Sequence, residues 1–238
     1  MSPRVEVVTK NTKIQNNVLT PVQVPLDGTA IYGDLQLSAE SRGLIVFVHG
    51  SGSSRFSVRN KYVAEQLNQY GMSTLLLDLL TKEEQDIDEQ TMQFRFDIQL
   101  LAKRTILAVR WARSQPDLRG LPIGLFGAST GAAAALITAA ALKGPIAAVV
   151  SRGGRPDLAY DALGKVEAPT LLIVGAEDHT VLDLNMRAAR LMHCVHRLQI
   201  VPGATHLFEE PGALEQVGTM AGEWFVEHMH ALVLTGSS

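Results

Sequence analysis

Residues 127–131, with the sequence Gly-Ala-Ser-Thr-Gly, join a short apolar run to an alanine-rich run. The apolar run at residues 121–126 predicts a buried strand, and the alanine-rich run at residues 132–142 predicts a helix. A serine between two glycines at this junction fits G-x-S-x-G, in which a tight strand-to-helix turn exposes the serine hydroxyl. We therefore expect Ser129 to be a nucleophile. The alternative is an ordinary turn whose serine caps the helix.

Strand and helix patterns alternate along most of the sequence. Residues 18–24 and 30–37 alternate apolar and polar side chains, which predicts an antiparallel hairpin at a sheet edge. Further strands are predicted at residues 43–48, 73–78, 121–126, 146–150, 170–174 and 198–201. Helices are predicted at residues 60–70, 95–114, 132–142, 157–163, 181–191 and 212–229. This pattern predicts one α/β domain over residues 1–238, with a mostly parallel, twisted sheet covered by helices on both faces.

A nucleophilic serine needs a general base, and the base needs an acid that orients it. Asp178 follows the strand at residues 170–174, and His206 follows the next strand. Because the carboxyl ends of parallel strands meet at one edge of a sheet, Ser129, Asp178 and His206 are predicted to form a triad there. Asp178 could instead cap the helix that follows it, His206 could be a surface residue, and Asp157 is the second candidate for the acid.

The tetrahedral oxyanion of acyl transfer needs two backbone N–H donors that are in place before it forms. One is predicted to be the N–H of Thr130, the residue after the nucleophile. The other is predicted in the small-residue loop after the strand at residues 43–48, where Ser51 and Gly52 are both candidates. His49, at the end of that strand, is expected to brace the loop.

Arginines flank the same predicted edge of the sheet. Arg152 and Arg155 follow the strand at residues 146–150 and could clamp a carboxylate or phosphate of the substrate. Arg55 and Arg59 in the oxyanion-side loop favour this interpretation. The alternative is a solvent-facing turn in which the arginines pair with a nearby carboxylate such as Asp157.

Two connections shape the expected surroundings of Ser129. Only residues 151–169 separate two successive predicted strands, which is too few for a lid domain, so we expect an open site. Residues 81–96 are the other candidate wall, and their charged run at residues 82–86 is expected to be a solvated loop.

Five stretches carry a resemblance to a known family: VFVHGSGSSRFSVRN, GLFGASTGAAAAL, VVSRGGRPDLA, APTLLIVGAEDHTVL and IVPGATHLFEEPGALEQV. Over about residues 43–224 the chain resembles the α/β-hydrolases, and within them the small cap-less hydrolases related to dienelactone hydrolase. It also resembles a bacterial domain that is fused to a phosphoribosyltransferase in some proteins. The resemblance implies Ser129, Asp178 and His206 as the triad and a serine ester hydrolase as the activity. Dienelactone hydrolases proper carry cysteine at the nucleophile position, so their lactone substrate is not transferred to this chain.

Composition limits which binding partners and which cellular compartment are expected. The formal net charge of −3 gives no electrostatic case for nucleic-acid binding. Cys194 is the only cysteine, which excludes an intrachain disulfide and favours a reducing cytoplasm. Residues 1–4 do not lead into a signal-peptide core, and no apolar run approaches the ~20 residues of a membrane span.

The sequence thus predicts a cytoplasmic serine hydrolase that acts on a small acyl substrate, and this substrate could carry an anionic group. Neither a metal nor an organic cofactor is expected, and no membrane partner. The alternatives are a non-catalytic binding module on the same fold, or a peptidase or perhydrolase that uses the same triad.

Overall fold

A computed structural model of the chain describes residues 18–229. Two expectations concern residues outside this range. One is that residues 1–4 do not lead into a signal-peptide core, and the other is that one domain extends over all of residues 1–238. Within residues 18–229, eight strands form one sheet: β1 (Leu19–Pro25), β2 (Ala30–Gln36), β3 (Leu44–Val48), β4 (Ser73–Leu77), β5 (Ile123–Ala128), β6 (Ile146–Arg152), β7 (Thr170–Gly175) and β8 (His196–Val201). Seven α-helices lie within the described residues: α1 (Val58–Gln69), α2 (Lys82–Thr91), α3 (Ile98–Ser114), α4 (Thr130–Leu142), α5 (Tyr160–Leu163), α6 (His179–Ala189) and α7 (Ala213–Met229). Two short 3₁₀ helices lie at Pro116–Leu118 and Pro156–Ala159.

The strands lie in the order β1-β2-β4-β3-β5-β6-β7-β8. The predicted hairpin pairs β1 with β2 antiparallel, and β2 continues antiparallel against β4. From β4 to β8 every neighbouring pair is parallel. The expectation of an α/β-hydrolase fold with a mostly parallel sheet and an antiparallel N-terminal edge is confirmed. The carboxyl ends of β3, β5, β6, β7 and β8 therefore share one edge of the sheet.

Each face of the sheet buries its own apolar core. On one face, Leu125 and Val149 belong to a cluster with residues of α3 and α4. On the other face, Phe126 and Val150 belong to a cluster with residues of α1 and α7. Because successive side chains in a strand point to opposite faces, this division also fixes where the last residues of β5 and β6 lie.

The charged run at residues 82–86 is helical, so the expectation of a solvated loop there is wrong. α2 begins after Thr81, whose side chain accepts from the Glu84 N–H while the Glu84 carboxylate accepts from the Thr81 N–H. This reciprocal capping box satisfies two N–H donors that the first turn cannot use. Thr81-Lys82-Glu83-Glu84 carries the T-x-x-E pattern of such a start, so the signal was present in the sequence.

No helix among residues 18–229 is both long enough and apolar enough to cross a membrane.

Candidate active site

Ser129 lies between β5 and α4 with a backbone conformation that side chains rarely adopt. Its φ is 51° and its ψ is −122°. Such a conformation costs of order 1–3 kcal/mol and persists only where its surroundings impose it. Ser129 occupies the N-cap position of α4, yet its side chain makes no capping hydrogen bond. The hydroxyl is therefore left for another partner, and the alternative of an ordinary capping serine does not describe this turn.

The two glycines of the motif allow the turn to be this tight. A side-chain carbon at Gly127 would collide with the backbone of Ala132, and one at Gly131 would collide with the carbonyl oxygen of Val48. Only a residue without Cβ fits at either position, because backbone cannot move aside as a flexible side chain can.

The end of β6 and the loop after it hold the strained serine from both sides. The Ser129 N–H donates to the Arg152 carbonyl at 3.1 Å, and the Arg155 N–H donates to the Ser129 carbonyl at 3.1 Å. Asn185 of α6 is fully buried and donates to the Gly154 carbonyl at 2.9 Å. Sequence reasoning missed this bracing, since no local pattern relates Asn185 to a turn so far from it in the chain.

Ser129, His206 and Asp178 lie in one hydrogen-bonded chain. The Ser129 Oγ is 3.3 Å from His206 Nε2, and His206 Nδ1 is 2.6 Å from Asp178 Oδ2. Asp178 occupies the N-cap position of α6 but makes no capping hydrogen bond, because its carboxylate faces His206. The structure thus brings together all three residues predicted for the triad.

Asp157, the second candidate for the acid, points elsewhere. Its two carboxylate oxygens accept from Nε and Nη2 of Arg155 at 2.8 and 2.7 Å. This bidentate pair is the interaction that the alternative interpretation of Arg155 anticipated, and it occupies both groups.

The three candidate oxyanion donors, the N–H groups of Thr130, Ser51 and Gly52, differ in whether they already have a hydrogen-bond acceptor. Thr130 is the first residue of α4, where a backbone N–H has no acceptor in a preceding turn. The Ser51 N–H donates to Thr130 Oγ1 at 2.8 Å. The Gly52 N–H has no hydrogen-bond partner among residues 18–229. Gly50 places its α-carbon close to Ser129, since a Cβ there would lie 3.1 Å from the Ser129 Cβ.

His49 is buried and links the loop after β3 to the end of β4. Its Nε2 accepts from the Leu79 N–H at 3.1 Å, so the ring proton lies on Nδ1, which is 2.9 Å from the Gly50 carbonyl. Burial lowers the pKa of His49 below its ordinary 6.5, against the raising effects of the Gly50 carbonyl and Asp78. The geometry is that of a neutral histidine with both ring nitrogens satisfied, as expected for a bracing residue.

The arginines predicted near the site have three different environments. Arg155 pairs with Asp157, as described above. Arg55 pairs with Asp78 and lies 3.5 Å from Asp34. Arg152 is the last residue of β6 rather than part of the following turn, and only 8% of its surface is exposed.

No group of three or more His, Cys, Asp or Glu side chains among the described residues is arranged to hold a metal ion. His193 and Cys194 lie between α6 and β8, and His196 is the first residue of β8.

Comparison with known proteins places this architecture in a family. The model of the dienelactone hydrolase family matches residues 32–229. A crystal structure of dienelactone hydrolase from Anabaena variabilis is 50% identical, with a TM-score of 0.88, covering 90% of this chain and 99% of that one. Est1E from Butyrivibrio proteoclasticus is 17% identical, with a TM-score of 0.75, covering 88% of this chain and 99% of that one, and it shares the fold.

Two curated proteins from strains of Mycobacterium tuberculosis, each named putative phosphoribosyl transferase, are 55% identical to this chain over 208 residues. The match covers 87% of this chain and 46% of each of those proteins, so the chain spans about half their length. This agrees with the resemblance to a hydrolase-like domain fused to a phosphoribosyltransferase. With a family model that matches most of its residues, this chain belongs to the dienelactone hydrolase family.

Proposed function

We propose that this protein is a serine hydrolase that cleaves an ester, thioester or related acyl bond of a small substrate. The observation that carries the proposal is the hydrogen-bonded chain from Ser129 through His206 to Asp178, with separations of 3.3 and 2.6 Å. A serine hydroxyl is a weak nucleophile, and a histidine within reach of it is the usual means of activating it.

In the proposed reaction, the Ser129 Oγ attacks the acyl carbon while His206 Nε2 accepts the hydroxyl proton. A tetrahedral intermediate forms, and its collapse expels the leaving group, which takes the proton from His206. Water then attacks the acyl-serine with His206 again as the base, which releases the acid and restores the hydroxyl. Asp178 holds His206 with its proton on Nδ1 and stabilises the imidazolium that forms in each half of the reaction.

The intermediate's oxyanion would lie between α4 and the loop after β3. The Thr130 N–H lies at the start of α4, where the helix dipole also favours negative charge. The second donor comes from the loop after β3, where there are two candidates. The Gly52 N–H has no partner in the described part of the chain, and the Ser51 N–H donates to Thr130 Oγ1. Losing one donor of this kind costs about 3 kcal/mol of transition-state stabilisation.

Membership of the family supports hydrolysis as the reaction class. The proposed nucleophilic atom differs, because this chain has the oxygen of Ser129 where dienelactone hydrolases proper have the sulfur of a cysteine. An oxygen nucleophile is less acidic than a thiol and depends more on its general base. The proposed activity should therefore depend strongly on His206 and Asp178.

The test is the Ser129→Ala variant, assayed with short p-nitrophenyl esters and with a serine-directed fluorophosphonate. Ser129→Ala should lower turnover by at least about 10³-fold and abolish labelling. Thermal stability should stay within a few degrees, because the Ser129 hydroxyl caps no helix. Ser53→Ala is the matched control, since it removes a hydroxyl from the loop on the same edge of the sheet and should retain both properties. Labelling that persists in Ser129→Ala, or turnover within tenfold of wild type, would contradict the proposal.

A further inference from the structure

Phe208, two residues after His206, has a backbone conformation that bulky side chains rarely adopt. Its φ is 56°, in the left-handed region. In the described part of the chain, three other residues besides glycines have a positive φ. Two of them, Met92 and Lys143, directly follow the last residue of a helix, where a left-handed φ often ends the helix. Away from the carboxyl ends of helices, this conformation therefore marks Phe208 and Ser129.

Backbone strain of this kind persists only where the surrounding structure imposes it, and it often occurs at functional sites. Gly203 and Gly212, in the same loop between β8 and α7, also have a positive φ, but glycine adopts it without strain. Phe208 has a large side chain instead, and its ring is fully buried in the core that the sheet forms with α1 and α7. The contacts of the ring therefore offset the strain in the backbone.

The Phe208 ring and His206 lie against the same glycine. A Cβ on Gly153 would lie 3.3 Å from the Phe208 ring, 3.2 Å from the His206 carbonyl oxygen and 3.6 Å from His206 Cε1. Gly153 is itself fixed, because its N–H donates to the Ile173 carbonyl of β7 at 2.8 Å. The buried ring and this glycine therefore limit the space in which the His206 imidazole can move.

Gly153 also connects this support to the proposed nucleophile. It directly follows Arg152, whose carbonyl accepts from the Ser129 N–H at 3.1 Å. Two successive residues thus lie against the backbone of Ser129 and beside the ring of His206. A shift of the Phe208 ring would change the position of His206 relative to Ser129, because Ser129 is held separately.

The chain before His206 is held by the loop that carries Asp178. The Glu177 N–H donates to the Ala204 carbonyl at 3.0 Å. A Cβ on Gly175 would lie only 2.2 Å from the same carbonyl oxygen, so the two loops are in close contact. This half of the loop is therefore fixed relative to Asp178 without any contribution from Phe208.

The chain after His206 is held by Phe208 and by one hydrogen bond across the loop. Thr205 Oγ1 donates to Glu210 Oε1 at 2.5 Å, which joins the residue before His206 to the second residue after Phe208. This hydrogen bond is exposed, so water competes for both groups. The buried ring is therefore the firmer anchor for this half of the loop.

We propose that Phe208 is a positioning residue, whose buried ring holds the His206 imidazole within reach of Ser129 and Asp178. A phenyl ring has no group that could transfer a proton, so Phe208 acts through His206. This inference rests on the proposed serine hydrolase function and adds a residue to its machinery. A misplacement of about 1 Å can cost about 100-fold in rate, so a smaller shift of the imidazole should still be measurable.

The first experiment compares Phe208→Leu with Phe225→Leu. Phe225 is fully buried in the same core but at the opposite end of β5, where a Cβ on Gly124 would lie 2.6 Å from its ring. Both variants lose a buried ring, so both should have a lower Tm than wild type. Turnover of p-nitrophenyl acetate is measured at a temperature at which both variants are folded.

In Phe208→Leu, kcat should fall about 10-fold and KM should change by less than about twofold, because leucine fills part of the space of the ring. In Phe225→Leu, kcat should stay near that of wild type. Equal losses of kcat in the two variants would overturn the proposal. If Phe208→Leu does not fold, Phe208→Met and Phe225→Met provide the same comparison, since methionine loses less volume and adapts to irregular spaces.

A double-mutant cycle tests whether Phe208 acts through His206. His206→Ala removes the imidazole and should lower turnover by at least about 10³-fold. In the His206→Ala background, Phe208→Leu should have no further effect on the residual turnover, because no imidazole is left to position. A further tenfold loss in that background would overturn the proposal, since a general defect in the fold would lower both activities alike.

The second experiment observes His206 without any turnover. Crystal structures of wild type, Phe208→Leu and Phe225→Leu give the separation between Ser129 Oγ and His206 Nε2. This separation should be longer in Phe208→Leu, or the imidazole should occupy two orientations, while Phe225→Leu should match wild type. An imidazole in the wild-type position in Phe208→Leu would overturn the proposal whatever the kcat of that variant.

The outcomes separate this inference from the proposed function. Wild-type turnover in Ser129→Ala or in His206→Ala would remove the proposed hydrolase function, and the crystal structures would still show whether Phe208 holds His206. Loss of turnover in those two variants, together with a wild-type kcat in Phe208→Leu, would overturn the positioning role alone.

Discussion

The side-chain oxygen of Thr130 accepts a hydrogen bond from the Ser51 backbone N–H at 2.8 Å, and it lies 3.1 Å from the Ser51 hydroxyl. The residue after the proposed nucleophile is thereby tied directly to the loop after β3, across 79 positions of sequence. The Thr130 hydroxyl thus holds both proposed sources of oxyanion donors in fixed positions relative to each other, and Thr130 as a residue is only 5% exposed.

Replacing Thr130 by valine should make the position of the loop after β3 relative to α4 less well fixed, and it leaves the Thr130 N–H in place. Valine has the shape of threonine and lacks the acceptor, so the Ser51 N–H would lose its partner. We expect kcat to fall about 2- to 10-fold with a smaller change in KM, the range for one neutral hydrogen bond. Steady-state kinetics on p-nitrophenyl acetate measure this.

Thr130→Ser is the control for that prediction, because it keeps the hydroxyl and loses only the methyl group. It should restore most of the lost kcat. A loss in Thr130→Ser as large as that in Thr130→Val would contradict the prediction, because serine keeps the hydroxyl that accepts from the Ser51 N–H.

Replacing Asp178 by asparagine should disable the proposed general base while leaving the fold intact. The amide cannot stabilise the imidazolium and favours the wrong tautomer of His206, which in a serine protease costs about 10⁴-fold in kcat. We expect a loss of about 10³- to 10⁴-fold here, measured under substrate saturation.

Asp157→Asn is the comparison that discriminates between the two candidate acids. Its carboxylate is engaged with Arg155, so its loss should lower kcat by less than about tenfold. If Asp157→Asn were the more damaging of the two, the acid of the triad would have to be reassigned.

The elements that could be predicted from sequence are those whose signal is local. The strand-turn-helix around Ser129 follows from an apolar run, two glycines and an alanine-rich run, and the order of Asp178 and His206 follows from two further strands. α2 was missed because only one of its residues, Asp88, is buried, so its sequence shows no apolar face. Caps and ion pairs stabilise α2, and the spacing of apolar residues in a sequence does not reveal either of them.

The environment of the arginines could not be predicted for a different reason. Arg152, Arg155 and Arg55 are the same residue type near the same edge of the sheet. Arg155 and Arg55 pair with carboxylates, and Arg152 has no carboxylate partner within residues 18–229. Which arginine lacks a partner depends on contacts between segments far apart in the chain, and no local pattern encodes that.

Replacing Asp88 by asparagine should destabilise the segment that joins α2 to α3. The Asp88 carboxylate accepts from the N–H groups of Phe94 and Arg95 at 2.8 and 2.9 Å and from Arg95 Nε at 2.6 Å. We expect the free energy of unfolding to fall by about 2 kcal/mol at pH 7, the range for hydrogen bonds to a charged group. Urea denaturation measures it.

Burial raises the pKa of Asp88, but the hydrogen bonds from Arg95 and Phe94 outweigh it and hold the pKa below 3.8. The contribution of the carboxylate is therefore fully present above that pH and is lost as the pH falls through the lower, folded-state value. The gap between wild type and Asp88→Asn should stay constant from pH 7 to pH 5 and narrow only in stronger acid. Asp86→Asn is the control, because its pair with Lys82 is exposed to solvent and should change the free energy of unfolding much less than Asp88→Asn does.

His49 should make the stability of the protein depend on pH near neutrality. Because burial holds its pKa below 6.5 in the folded state, the unfolded chain binds a proton that the folded chain does not. Stability therefore rises with pH between the folded-state pKa and about 6.5, and this contribution is complete above that pH.

In His49→Gln, whose side chain can still accept from the Leu79 N–H, the rise in the free energy of unfolding over this pH range should flatten. His179→Gln, which removes a histidine whose side chain is 80% exposed, should keep the wild-type slope. Urea denaturation at pH 5, 6, 7 and 8 distinguishes them, and an unchanged slope in His49→Gln would show that another group carries the dependence.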